Sequence, residues 1–226
     1  MAQAASGKTN WFAIWTSVAV VAVVAVVVVL VMVMNNKATD PGVAPDSSGI
    51  NQETGAITFG DGPDTVSTWV DFMCPYCGQF EKTEGKTITK LIDEGKITLE
   101  LHPVAILDRL SQGSEFSSRS AAAMYAVAEA DPANAYAFLV AMYDNQPAEQ
   151  SAGLTDEQMV SIAKDAGVNV TPELEKAILD QKFLDFAKAQ QLPDGATGTP
   201  TLAVNGTIVP VTFDAETDIV ARLTNG

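Results

Sequence analysis

Asp71-Phe72-Met73-Cys74-Pro75-Tyr76-Cys77-Gly78-Gln79-Phe80-Glu81 holds the only two cysteines of a 226-residue chain. It stands where an apolar run rich in Val, Trp and Phe gives way to a helix-like pattern. Pro75 suits the first helical position, because the N–H it lacks would have no intrahelical partner there. Cys74 then lies at a helix N-terminus, where unpaired N–H groups and the helix dipole favour thiolate over thiol. The thiolate is the form that attacks disulfides. Cys77, one turn on, is placed to resolve the resulting mixed disulfide.

Other uses of the pair fit less well. A structural zinc site takes four Cys or His ligands, and the chain offers two Cys and one His. A purely structural disulfide between residues three apart closes too small a loop to remove much unfolded-state entropy. Delivery of Cu(I) by the two thiolates, with Met73 nearby, is chemistry that soft sulfur allows, and a copper titration of the reduced protein distinguishes it. The reading from the residues is a redox-active pair that needs no metal and no cofactor.

Residues 11–34 carry no charge and are mostly Val and Ala, enough to span a bilayer as a helix. A cleaved signal peptide has a shorter apolar core and a small-residue cleavage site, whereas this run leads into Met34-Asn35-Asn36-Lys37. An uncleaved anchor is expected. Lys8 and Lys37 flank it almost evenly, so orientation rests on chemistry: disulfides persist outside the cytosol. Residues 1–10 are expected in the cytoplasm and the large domain outside, with Trp11 and Trp15 near the inner interface.

Lys8 and Lys37 precede every acidic residue, leaving 11 of 13 basic residues against all 28 acidic ones and a net charge of −17 beyond residue 37. Such a surface excludes nucleic acid and anionic lipid as partners.

Residues 35–55, rich in Pro, Gly, Ser and Asp, predict a flexible tether. Beyond it, residues 56–59 and 65–72 read as strands and Pro75 to about Glu94 as a helix closed by Gly95. Ile97 to Leu107 reads as a third strand. From about 113 to 191 the pattern is helical and accommodates four helices, with a capping box at Thr155 and Gln158 and caps at Thr171-Pro172 and Asp131-Pro132. Asn205-Gly206 between two apolar runs predicts a hairpin, and a last helix starts at Asp214.

The eleven-residue stretch, together with Gly198-Thr199-Pro200-Thr201, resembles the DsbA-like thiol-disulfide oxidoreductases over residues 56–226. The resemblance implies an α/β thioredoxin-like fold with an inserted helical domain at about 113–191, here preceded by a single transmembrane helix. It also implies that Pro200 is cis and faces the dithiol, with the backbone of Thr199 free to pair with a client strand. Many thioredoxin-fold enzymes place a buried carboxylate six residues before the first cysteine, to take the resolving thiol's proton. Thr68 stands there instead. Asp71, Glu81 or water is left for that role. Pro75 and Tyr76 support the site; Glu81, two turns from Cys74, otherwise reads as solvated. His102 reads as a packed or surface side chain, and Tyr125, Tyr136, Phe138, Met142 and Tyr143 as the core of the insertion.

The expected function is thiol-disulfide exchange on exported proteins with cysteine thiols, as an oxidase, served by a membrane or soluble redox partner. A reductase or isomerase is the alternative within that class; isomerases of the dimeric kind carry an N-terminal dimerisation domain where this chain has a short tether. An accessory subunit docked in a larger membrane complex, through the small-residue strip Ala19, Ala22 and Ala25, is the reading from another class.

Overall fold

Residues 11–38 and 42–224 are described by the computed structural model, and they form two units that divide at residue 40. The first is α1 (Trp11–Ala38), one unbroken helix. Its segment Ile14–Met32 is long and apolar enough to cross a membrane, and Val18, Val21, Val24 and Leu30 are all exposed on it. Neither Gly nor Pro interrupts the run, so the helix continues past Met34 to Ala38, where the tether was expected to have begun. The expected tail, residues 1–10, lies outside the described residues.

The second unit is built on a five-stranded sheet in the order β1-β3-β2-β4-β5: β1 (Ile57–Phe59), β2 (Asp64–Val70), β3 (Ile97–Pro103), β4 (Thr201–Val204) and β5 (Thr207–Val209). β2 and β3 run parallel, which demands the crossover that α2 (Pro75–Asp93) supplies. The other pairings are antiparallel. Asn205 and Gly206, with φ of 47° and 77°, close the β4–β5 hairpin in the geometry that Asn-Gly favours. The hairpin ends at Val209, short of Phe213. This is the α/β thioredoxin-like fold.

Side chains of β2 alternate across the sheet. Val66 packs with Phe80, Ile88 and Leu91 of α2, Leu99, Leu202 and Ile219 in one core. The other face carries Trp69, whose ring stacks on His102 of the adjacent strand at 4.3 Å. His102 is buried, and its Nδ1 contacts the Thr54 carbonyl at 3.1 Å.

The insertion contains five helices where the sequence pattern suggested four: α3 (Phe116–Ala130), α4 (Ala135–Asp144), α5 (Asp156–Asp165), α6 (Pro172–Leu179) and α7 (Leu184–Ala189). The extra break is local. Gln181 takes φ of 54°, a left-handed conformation that a helix interior does not admit, so the run after Pro172 becomes two short helices. Thr155 and Gln158 make the full capping box, and Thr171 caps α6 through the Leu174 N–H. Asp131 does not cap; its carboxylate accepts from the Asn169 N–H and the Asn134 side chain, and Pro132–Asn134 is a 3-10 turn leading into α4. The last helix, α8 (Ala215–Asp218), is capped by Asp214 and runs into a 3-10 turn ending at Arg222.

Residues 42–55 are not a flexible tether. Pro45 and Ile50 are buried, Ile50 bridges to Ile57, the Asp46 N–H donates to Glu129 at 2.8 Å, and the Tyr125 hydroxyl donates to the Gly55 carbonyl at 2.8 Å. Ala44 packs on the larger core. Two or three well-placed apolar side chains suffice to dock a segment whose overall composition is polar, because burial of each is worth roughly 1.5–3 kcal/mol.

Candidate active site

The parallel β2 ends at Val70, and the chain turns into α2 through Asp71, Phe72 and Met73, all buried. Cys74 is the residue before the first helical one, with extended backbone (φ −75°, ψ 115°), and Pro75 opens the helix as expected. The Cys77 and Gly78 N–H groups both point back to the Cys74 carbonyl, at 3.0 and 3.3 Å. Both cysteines are free thiols, but they are not equivalent. Cys77 is fully buried, while Pro75 and Tyr76 between them are exposed, Tyr76 to 61%.

The pairing of β4 with β2, Thr201 opposite Trp69, carries the 198–200 loop to the dithiol. Thr199–Pro200 is cis, and the Cys74 thiol donates to the Thr199 carbonyl at 3.3 Å across 125 residues of sequence. Beside this contact lies an open cleft of about 420 Å³ between Tyr76, the 195–201 loop, Ile208–Val211 and Phe213. Tyr76 and Phe213 stack across its mouth, 6.4 Å between ring centres.

The environment separates the thiols chemically. Cys74 is drawn down from 9.0 to about 6: the Cys77 thiol hydrogen-bonds to it, burial opposes, and the Thr199 side chain with the N–H groups of Cys77 and Tyr76 adds to the pull. Cys77 moves the other way, well above 9.0, through burial first and then through giving its proton to Cys74 and facing the Cys74 charge.

Asp71 is buried, and its carboxylate is enclosed by donors. Oδ1 accepts from the Met73 N–H at 2.8 Å and the Ser117 hydroxyl at 2.7 Å, and Oδ2 from the Leu107 N–H at 2.9 Å. Burial nevertheless lifts it to about 6. These bonds tie the β2–α2 turn to α3 and to the loop after β3. Glu81 is half-buried, not solvated: the Tyr136 hydroxyl donates to its Oε1 at 3.1 Å, and burial raises it to about 7.

The sequence pattern did not point to Gln146. It follows α4 and lays its amide across the start of α2, donating to the carbonyls of Phe72 at 3.0 Å and Cys74 at 2.8 Å. Gly78 makes room for it, since a Cβ there would lie 2.4 Å from Gln146 Oε1. A glycine inside a helix lowers helix propensity by about 1 kcal/mol against Ala, and that was the available signal of a close approach. Phe138, Met142, Tyr143 and Tyr125 are in the core as expected, and Tyr136 faces Glu81.

A strand-ending dithiol at a helix start, opposite a cis-proline loop, defines the class: a thiol-disulfide oxidoreductase. The chain belongs to the thioredoxin family, whose sequence model (Thioredoxin) matches residues 54–221. It is 27% identical over 162 residues to the probable disulfide bond formation protein D of Bacillus cereus, across 69% of this chain and 71% of that one. Its structure is similar to oxidised DsbA of Mycobacterium tuberculosis, with a TM-score of 0.62 and 30% identity, over 70% of this chain and 86% of that one. It also matches the serine/threonine-protein kinase PknE of Mycobacterium tuberculosis, 29% identical over 113 residues; there the likeness covers 48% of this chain and only 20% of the kinase.

Proposed function

We propose that the protein is a membrane-anchored oxidase that forms disulfides in exported proteins, with Cys74 as the attacking and attacked sulfur and Cys77 as its partner. The observation that carries the reading is the unequal pair: a Cys74 thiolate stabilised at about 6 beside a buried Cys77. A stabilised thiolate favours the reduced protein, which makes the oxidised protein a stronger oxidant and Cys74 a better leaving group.

In this reading the client enters the cleft beside Tyr76, with Thr199 and Pro200 holding its backbone. Its thiolate attacks Cys74 Sγ and the S–S bond breaks toward Cys77. A second client thiolate then attacks the client sulfur of the mixed disulfide, and Cys74 departs as a thiolate. Pro75 and Gln146 hold the start of α2 in place. The apolar helix supports anchorage, and the persistence of disulfides outside the cytosol is the ground for placing the amino end inside and the catalytic unit outside, where a membrane or soluble redox partner renews the disulfide.

The test uses full-length protein in lipid nanodiscs. The oxidised form is given a reduced unfolded client and the reduced form a scrambled one, each beside Cys74→Ser. The oxidase reading expects fast oxidation, slow unscrambling and an inert variant. Efficient unscrambling with negligible oxidation would assign an isomerase, and equal rates for variant and wild type would assign an accessory subunit. A reporter fused after residue 55 that is active only in the cytoplasm would overturn the topology.

A further inference from the structure

Opening the Cys74–Cys77 disulfide leaves a charge on Cys77, a fully buried sulfur whose thiolate is strongly disfavoured. A proton must reach it from inside the fold. Thr68 cannot supply one, and the Asp71 carboxylate is turned away into hydrogen bonds with Met73, Leu107 and Ser117.

Behind Cys77 there is a cavity of about 10 Å³, lined among others by Cys77, Glu81, Thr68, Tyr136 and Tyr143. Its size is about that of one water's centre. Cys77 and Glu81 are four residues apart on α2, so their side chains share a helix face. Gly85, a further turn on, is shaped to the same end: a Cβ there would stand 2.1 Å from Glu81 Oε1. The bare helix surface seats the carboxylate against α2, Glu81 lines the cavity, and the Tyr136 hydroxyl fixes the carboxylate from α4.

Resting on the oxidoreductase reading above, we infer that Glu81 is the group that exchanges a proton with Cys77, through one water in the cavity they share. As the client thiolate attacks Cys74 Sγ, the S–S electron pair passes to Cys77 Sγ. The Glu81 carboxylic acid protonates that sulfur by way of the water and becomes a carboxylate. In the reverse direction the carboxylate takes the Cys77 proton as the thiolate attacks Cys74. Solvent restores the protonation of Glu81 between turnovers. The titratable groups that act on Glu81 are Tyr136 and Asp144 of α4, with Tyr143 close by, and Cys77 lines the same cavity. None is cationic. Burial holds Glu81 near 7, so both of its forms are populated at neutral pH.

The experiment measures single-turnover reduction of the full-length oxidised protein by dithiothreitol from pH 5 to 9, with rates corrected for the thiolate fraction of the reductant. Wild type should show a bend near pH 7. Glu81→Gln keeps the shape and removes the exchangeable proton; the bend should vanish and the rate below it fall by about 10²-fold. Tyr136→Phe removes a hydrogen bond to the carboxylate, so its bend should move to higher pH without disappearing. The pH dependence of Cys74 alkylation should change in neither variant. A bend that persists unmoved in both variants overturns the assignment. Normal bends with no oxidation of any protein client would sink the oxidase reading and leave the Glu81 role intact.

Discussion

Cys74 and Cys77 differ only in where the chain puts them. One stands just before the helix, buried but 4% exposed and facing the cis-proline loop, and the other is a core residue one turn in. In single-cysteine variants, the form retaining Cys74 loses the Cys77 hydrogen bond that does most to lower its pKa, so it should titrate above the wild-type value of about 6 yet below 9.0, and it should still outrun the form retaining Cys77 in reaction with iodoacetamide at pH 7. Faster reaction of Cys77 would reverse the assignment of roles. Glu84 is a second residue with an informative titration. It is fully buried on α2, its carboxyl oxygens meet no partner within hydrogen-bond distance among the described residues, and burial first, then the neighbouring carboxylates of Asp218 and Asp214, lift it to about 8 from 4.5. A carboxyl group raised in the folded state binds protons that the unfolded chain has released, so it lowers stability as pH climbs from about 4.5 to 8. Glu84→Gln should therefore melt several degrees higher than wild type at pH 8 and differ little at pH 5. A constant difference across that range would refute the buried ionisation.

The helix α2 is the element on which the site depends, because Cys74 immediately precedes it, its first turn holds Cys77 and its later turns carry Glu81 and Glu84. The end of β2 and Pro75 fix where α2 begins, and Gln146, from the loop after α4, clamps that end through two carbonyl groups. Gln146→Ala should destabilise the protein by about 1–3 kcal/mol, since the Phe72 carbonyl loses its side-chain donor while that of Cys74 keeps two N–H groups, and should alter the Cys74 alkylation profile. The capping box of α5 is a useful comparison: Thr155→Ala should cost about 1 kcal/mol and leave Cys74 untouched. Calorimetry and alkylation on the two variants separate a clamp on the site from general helix support.

For the molecule as a whole, the folded unit begins earlier than composition suggests. Ile50 is 5% exposed and belongs to the larger core, whereas Val43 is 61% exposed. Ile50→Ala in the full chain should cost about 2–5 kcal/mol, as other buried large-to-small changes do, with Val43→Ala near zero. Similar small effects at both positions would restore a loose tether between the helix and the domain.

Read alone, the residues located the cysteine pair at a helix start, the apolar helix, the hairpin at Asn205-Gly206 and the capping box at Thr155. Each rests on local chemistry: a proline at a helix start, an uncharged Val/Ala run, paired left-handed turn residues, a threonine three residues before a glutamine. What remained undecided were relations between distant segments. Glu81 read as solvated because seven residues of spacing reveal its helix face but not that α4 covers it with Tyr136. Asp71 and Glu81 were equivalent candidates until packing locked one into hydrogen bonds with Ser117, Met73 and Leu107 and left the other lining the cavity that Cys77 also lines. Gln146 carried no signal of its own beyond the glycine at 78, since its partners lie more than seventy residues away, and the docking of residues 42–55 depends on a few apolar contacts that average composition hides. Hydrogen bonds and burial of that kind are set by the tertiary fold, because only folding brings the partners within reach and removes the water that would otherwise satisfy them.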